Sequence, residues 1–171
     1  DARRSRRRYA PAVSPVADRP AASPAASRRP IDSAWLLARL AMAYGAAAVL
    51  VHVVPLRTLA RWAWRPATAG DPGRADRIVA TVIRLRRVLP AAGRGDCLPF
   101  ALVLYRELSR AGHAPQLVMG FERAGSGAGL EGHAWVEVDR RPVAESVDAV
   151  ARYTPAAAFG PGGSLTPCGR D

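Results

Sequence analysis

The spacing of apolar side chains changes at Gly112, and that change limits what this chain can fold into. Before it, apolar residues recur at helical intervals. Ile78, Val79, Val82, Ile83 and Leu85 with Val88 and Leu89 form one such set, and Leu98, Ala101, Leu102, Tyr105 and Leu108 form another. Asp71-Pro72 reads as the start of the first helix and Pro90 as its end; the second runs from about Cys97 to Ala111, with Pro99 tolerated in its first turn and Gly112 as its stop. After Gly112 the segments 115–121, 132–138 and 142–146 read as strands, with 124–129 a glycine-rich loop. Helices first and strands later predicts an α+β fold, with a small antiparallel sheet packed on the helix that begins at Cys97.

A chain of 171 residues with 49% hydrophobic content suffices for one packed domain. The expected organisation is an arm over residues 1–31, a single domain over 32–155 and a flexible tail over 156–171, the tail being rich in Gly, Pro and small side chains. Residues 1–30 carry eight Arg against Asp1 and Asp18, more than half of the net charge of +11. They hold almost no large apolar side chain, too little to offset the entropy of ordering, so a disordered arm is expected there. Every one of the 25 basic residues is Arg and Asn is absent, a bias of genome composition more than a binding signature. No apolar run follows the arm's charges as a secretory signal would require, so the expected location is cytoplasmic. The arm carries no motif that reads RNA or DNA.

The longest apolar stretch, Ala34 to Val54, contains Arg39 and His52, and the portion between them is shorter than the roughly 20 residues that span a bilayer. It reads as a core helix capped by Ser33 and followed, between Pro55 and Pro66, by a short second helix. A peripheral membrane contact helped by Arg57, Arg61, Arg65, Trp62 and Trp64 is the other reading.

Chemistry concentrates at two places. Cys97 stands at a helix start, where unpaired backbone N–H groups and the helix dipole favour its thiolate. Its backbone N–H, pointing out of the helix, is also an oxyanion donor. Far downstream, His133 opens the strand-like run Gly-His-Ala-Trp-Val-Glu-Val. An imidazole beside a thiol takes and returns its proton, and a third group orients the ring. With Asn absent, that group is a carboxylate or Gln116. Glu145 and Asp148 are the candidates, and hairpin register decides between them. A two-residue turn at Asp139-Arg140 would set Ser146 opposite His133 and point Glu145 away, but such turns prefer glycine, which is missing. A longer loop is therefore expected. With three loop residues His133 pairs with Val147 and Glu145 lies diagonally on its face; with four, His133 faces Asp148. Asp96 reads as a cap or loop anchor, Trp135 as packing beneath the histidine, and His52 and His113 as structural or exposed. Cys168 has no partner motif. Two Cys and three His show no ligand-like pairing, so neither a metal nor a cofactor is expected.

Gly-Asp-Cys-Leu-Pro-Phe-Ala (95–101), Leu-Val-Met-Gly-Phe (117–121), the run from Gly132 through His133 to Ser146, and Tyr153-Thr154-Pro155 carry a resemblance. Together with the upstream Arg65–Ala69 run, they resemble the transglutaminase-like cysteine peptidases that remove the leader from lasso-peptide precursors. The similarity covers roughly residues 35–155. It implies Cys97 as nucleophile and His133 as base and then acid, and relatives carry Asp or Glu at the position matching Glu145. It implies as partners a precursor peptide, a leader-recognition protein that presents it, and an ATP-dependent cyclase that closes the macrolactam. Two other readings come from different classes. One is another thiol acyl-transfer enzyme on the same scaffold, a transglutaminase or arylamine acetyltransferase relative; the other is a non-catalytic basic adaptor.

Overall fold

The computed structural model describes residues 30–66, 72–88, 96–123 and 129–168. The expected arm as far as residue 29, residues 91–95 of the loop before Cys97, and 124–128 of the glycine-rich loop lie outside them. Four helices come first: α1 (Pro30–Leu50), α2 (Leu56–Ala63), α3 (Pro72–Val88) and α4 (Cys97–Arg110). Strands β1 (Gln116–Arg123), β2 (Leu130–Val138) and β3 (Arg141–Val143) follow, then a short helix α5 (Val147–Ala151) and strands β4 (Thr154–Phe159) and β5 (Leu165–Pro167). The sheet is antiparallel throughout, in the order β3-β2-β1-β4-β5. The chain is an α+β protein.

Helix α4 is the centre of the molecule. It is buried from Pro99 to Tyr105 and again at Glu107, Leu108 and Ser109, because it lies between the other long helices and the sheet. Leu40 of α1, Ile78, Val82 and Leu85 of α3, and Leu59 and Ala60 of α2 meet it on one side; Leu117, Ala134, Val136 and Phe159 of the sheet meet it on the other. Strand alternation sends Val118, Trp135 and Ala158 to the opposite face, where Val150 of α5 and Tyr153 cover them. Both faces of the central strands are thus covered, which explains their unbroken apolar runs.

The arginine inside the apolar stretch of α1 has a specific use. Arg39 pairs with Glu107, a carboxylate only 2% exposed, so α1 brings a charge inward to match one buried on α4. The outer face of α1 leaves Trp35, Met42 and Val49 exposed. Among the described residues, no helix is long and apolar enough to cross a membrane. Helix α1 also begins earlier than expected: Pro30, not Ser33, opens it, since proline's fixed φ suits a first helical position and its missing N–H has no bond to lose there. The last two residues of the expected arm therefore belong to a helix.

The largest departure from expectation is at the other end. Instead of trailing away after Pro155, the chain forms β4, which pairs with β1 through Leu117↔Phe159, Val118↔Ala158 and Met119↔Ala157, and then β5. Its glycines and prolines build a tight turn, not a loose end. The Tyr105 hydroxyl donates to the Gly160 carbonyl at 2.7 Å, and the 3-10 turn Pro161–Gly163 is packed against α2. Gly163 has φ 68°, and a Cβ there would come within 2.8 Å of the backbone of Arg61. Both the conformation and the close approach demand glycine. Gly163→Ala should therefore destabilise the fold by roughly 2 kcal/mol or more in chemical denaturation. Gly45→Ala, at a helical position with nothing within 4 Å of the added methyl, should instead stabilise it by up to about 1 kcal/mol. Equal effects from the two would show that the C-terminal turn is not part of the folded core.

Candidate active site

Cys97 is the first residue of α4. Asp96 before it makes no capping bond through its side chain; it accepts a hydrogen bond from Tyr44 of α1, so it ties the helix start to its neighbour. Across from the helix start, β3 ends opposite Val136, which leaves the His133–Trp135 part of β2 without a partner on that edge. The Cys97 sulfur meets β2 there. It hydrogen-bonds the His133 ring, and the backbone N–H groups of Ala134 and Leu98 donate to it.

The imidazole is held on several sides. Its ring stacks on Tyr153 at 4.7 Å between centroids and on Trp135 at 6.0 Å. Gly120 lies opposite His133 in the β1–β2 ladder, and any side chain there would run into the Trp135 ring at 2.9 Å, so the glycine of Leu-Val-Met-Gly-Phe makes room for that packing. His133 Nε2 bonds Glu145 Oε2 at 2.8 Å. With Nε2 so engaged, Nδ1 is the ring nitrogen left for sulfur.

How Glu145 reaches the ring corrects the expected hairpin. The turn is the two-residue one at Asp139-Arg140, with φ of 51° and 61°, and β3 pairs in the register that goes with it. Glycine-free residues adopt the left-handed conformation here, at some strain. Continued, that ladder would set Ser146 opposite His133 and turn Glu145 away. It does not continue. Ala144 has φ 67°, which ends the strand and swings the next residue back over His133. Ser146 caps α5 by accepting from the Ala149 N–H at 3.2 Å. Asp148 sits exposed in the first turn of α5, and the carboxylate bonded to the ring is that of Glu145. Gln116 is exposed at the start of β1.

Electrostatics favour the charged forms of all three groups. Burial opposes ionisation of the Cys97 thiol, but the bonds from His133 and the two backbone N–H groups outweigh it and hold the thiol below its ordinary range. The His133 imidazole is pushed up from 6.5 to about 9 by its hydrogen bonds to Cys97 and then Glu145, against the opposing effect of burial. Burial also works against the Glu145 carboxylate, and the histidine bond and the Arg86 guanidinium overcome it, leaving its pKa lowered. Because thiol and imidazole share a proton, their titrations belong to the pair. A cavity of about 390 Å³ opens on Cys97, His133 and Glu145, and Val82, Phe100 and Leu104 line its apolar wall.

Two features escaped the sequence. Arg86 Nη1 donates to Glu145 Oε1 at 3.0 Å, yet in the sequence it reads as one of several arginines on the solvent side of α3. Tyr153 stood in a recognisable motif without a role; here it forms a wall of the imidazole site, and Arg152 bonds its hydroxyl at 2.6 Å. Trp135 packs beside the histidine as expected. His52 is exposed and His113 half-buried. Both cysteines are free, and Cys168 packs on the Val118–Trp135 cluster on the far side of the sheet from the helical core. Among the described residues, no group of three or more His, Cys, Asp or Glu is placed to hold a metal ion.

A helix-borne cysteine packed on an antiparallel sheet with a strand-borne histidine defines a class. The chain belongs to the transglutaminase-like superfamily, whose model matches residues 34–158, from α1 into β4. Its core is a scaffold for cysteine-based peptide cleavage or acyl transfer. No curated protein and no solved structure matches it.

The site geometry fixes an expectation that needs no substrate. Followed by NMR, the ring protons of His133 should titrate near pH 9. Glu145→Gln should lower that midpoint by roughly one unit or more and Cys97→Ala should lower it further, while Asp148→Asn leaves it in place. A shift on Asp148→Asn equal to that on Glu145→Gln would contradict the assignment of the bond.

Proposed function

We propose that this protein is a cysteine peptidase that removes the leader from a ribosomally made lasso-peptide precursor. The observation that carries the reading is the imidazole of His133 bonded to Glu145 on one side and to the Cys97 sulfur on the other, at the mouth of a cavity. Membership of the superfamily supports a thiol acyl chemistry, and the resemblance of the Cys97 and His133 blocks to leader peptidases supports this substrate.

In this reading the Cys97 thiolate attacks the carbonyl carbon at the junction of leader and core. The unpaired N–H of Cys97 at the helix start donates to the developing oxyanion. The imidazolium gives its proton to the departing amine of the core peptide, the C–N bond breaks, and the leader remains as a thioester on sulfur. Neutral His133 then takes a proton from water, whose oxygen attacks the thioester; the carboxylate of the leader leaves and the thiolate–imidazolium pair is restored. Glu145 keeps the ring aligned and stabilises its cation throughout. The freed amine is the group that an ATP-dependent cyclase consumes, and a leader-recognition protein presents the precursor to this chain in the cytoplasm.

Mass spectrometry of a candidate precursor incubated with this protein and its leader-recognition partner tests the proposal. Wild type should yield two peptides whose summed mass exceeds the precursor by one water, and Cys97→Ala should yield none. A mass-shifted acceptor instead would assign acyl transfer, and undiminished cleavage by Cys97→Ala would overturn the nucleophile. The rate should follow a bell-shaped pH profile, rising as Cys97 ionises below its ordinary range and falling near pH 9, where His133 loses the proton it must deliver. Glu145→Gln should reduce kcat/KM by roughly 10²-fold and draw the basic limb downward.

A further inference from the structure

Glu145 presents two oxygens to two different elements. Oε2 bonds His133 of β2, and Oε1 accepts from Arg86 of α3 at 3.0 Å. The carboxylate needs such a second hold, because it lies just past the left-handed Ala144, in the link between β3 and α5, where no ladder bonds fix the backbone. Arg86 is itself steadied: its guanidinium carbon lies 5.9 Å from the centroid of the Phe100 ring, which belongs to α4 one turn beyond the nucleophile. The contacts therefore close on themselves, from Cys97 through His133, Glu145 and Arg86 to Phe100 and back to the same helix.

We infer that Arg86 is a positioning residue of the active site, holding the second oxygen of Glu145 so that the first stays on the imidazole. The inference rests on the Cys97–His133–Glu145 reading above and not on the identity of the substrate. Arg86 is about half exposed, and a half-exposed ion pair of this kind contributes little to folding. Its effect lies in orientation. Released by Arg86, the carboxylate has other cations to turn to. Arg87 also lines the cavity, as does Arg152, which Tyr153 and Glu122 at present engage. The other titratable groups against the ring are Cys97 of α4, which hydrogen-bonds it, and Tyr153 after α5, which stacks on it at 4.7 Å between centroids.

The sign of the effect separates orientation from simple charge. A guanidinium near an imidazolium repels it, so removing an arginine that acted only through space would raise the His133 midpoint. Removing one that holds Glu145 in place lowers it, because the ring loses its carboxylate bond. The full chain would be compared as wild type, Arg86→Ala and Arg86→Lys by the NMR titration of His133 and by the rate of iodoacetamide alkylation of Cys97 between pH 5 and about 10, which brackets both groups. Arg86→Ala should lower the histidine midpoint by roughly one unit and slow alkylation at pH 7 by roughly tenfold, with an unchanged thermal transition. Arg86→Lys should fall between it and wild type, since lysine keeps the charge but lacks the planar fork. It also carries the test should the alanine variant fail to fold. An unmoved or raised midpoint in either variant overturns the inference. Should wild-type Cys97 react no faster than an ordinary thiol at pH 7, the site reading falls and this inference with it; a reactive wild type with unmoved variants sinks the inference alone.

Discussion

One imidazole placed between two groups that burial would rather keep neutral sets the terms for the rest of the molecule. The thiol of Cys97 and the carboxyl of Glu145 both lose solvation where they sit, and desolvation is the largest single influence on each. Both nevertheless ionise more readily than usual, because a cation stands between them and backbone N–H groups face the sulfur. The three groups come from a helix start, a strand and a link between elements, so the charge balance exists only when all three are assembled. An unpaired member would be a buried charge without compensation.

The architecture follows from what that assembly requires. Cys97 stands at a helix N-terminus, and α4 is held firmly by packing against α1, α2 and α3 on one side and β1 and β2 on the other. A histidine on a strand must be reachable from the helix, and β3, being only three residues long, leaves that part of the β2 edge uncovered. The second apolar cluster, with Trp135 and Tyr153, walls the ring from behind. Packing and chemistry thus use the same residues, and the histidine's neighbours in the site are also members of a core.

What the sequence disclosed and what it withheld divide along the range of the interactions. The change of period at Gly112, the helix beginning at Cys97 and the strand carrying His133 are local patterns, and they were legible because a few neighbouring residues determine them. The tight turn at Asp139-Arg140 was not, because its exposed residues take a left-handed conformation that such turns usually assign to glycine, and the pairing of β2 with β3 closes on them all the same. Reading the register from the absence of glycine pointed to a longer loop. The choice of Glu145 over Asp148 at the imidazole then turned on Ala144, a residue whose left-handed backbone no composition rule announces. Arg86 was hidden for a different reason: it lies on another element far away in sequence, and its neighbours are also arginines. The Gly- and Pro-rich end looked loose because those residues serve turns and tails alike; the pairing of β4 and β5, the bond from Tyr105 and the contact with α2 distinguish them.

The placement of β4 beside β1 has a bearing on the order in which a ribosome delivers this chain. Helices α1 to α4, with Cys97, emerge before the strands, and β1 and β2 bring His133 next. At that moment the outer side of β1 is a bare edge of apolar residues, Leu117 and Val118 among them, open to pairing with other nascent chains. The partner that covers it is made only after Glu145 and the Tyr153 wall. Completing the sheet and completing the site are therefore nearly the same event, and the thiol gains its full set of neighbours only as the aggregation-prone edge disappears.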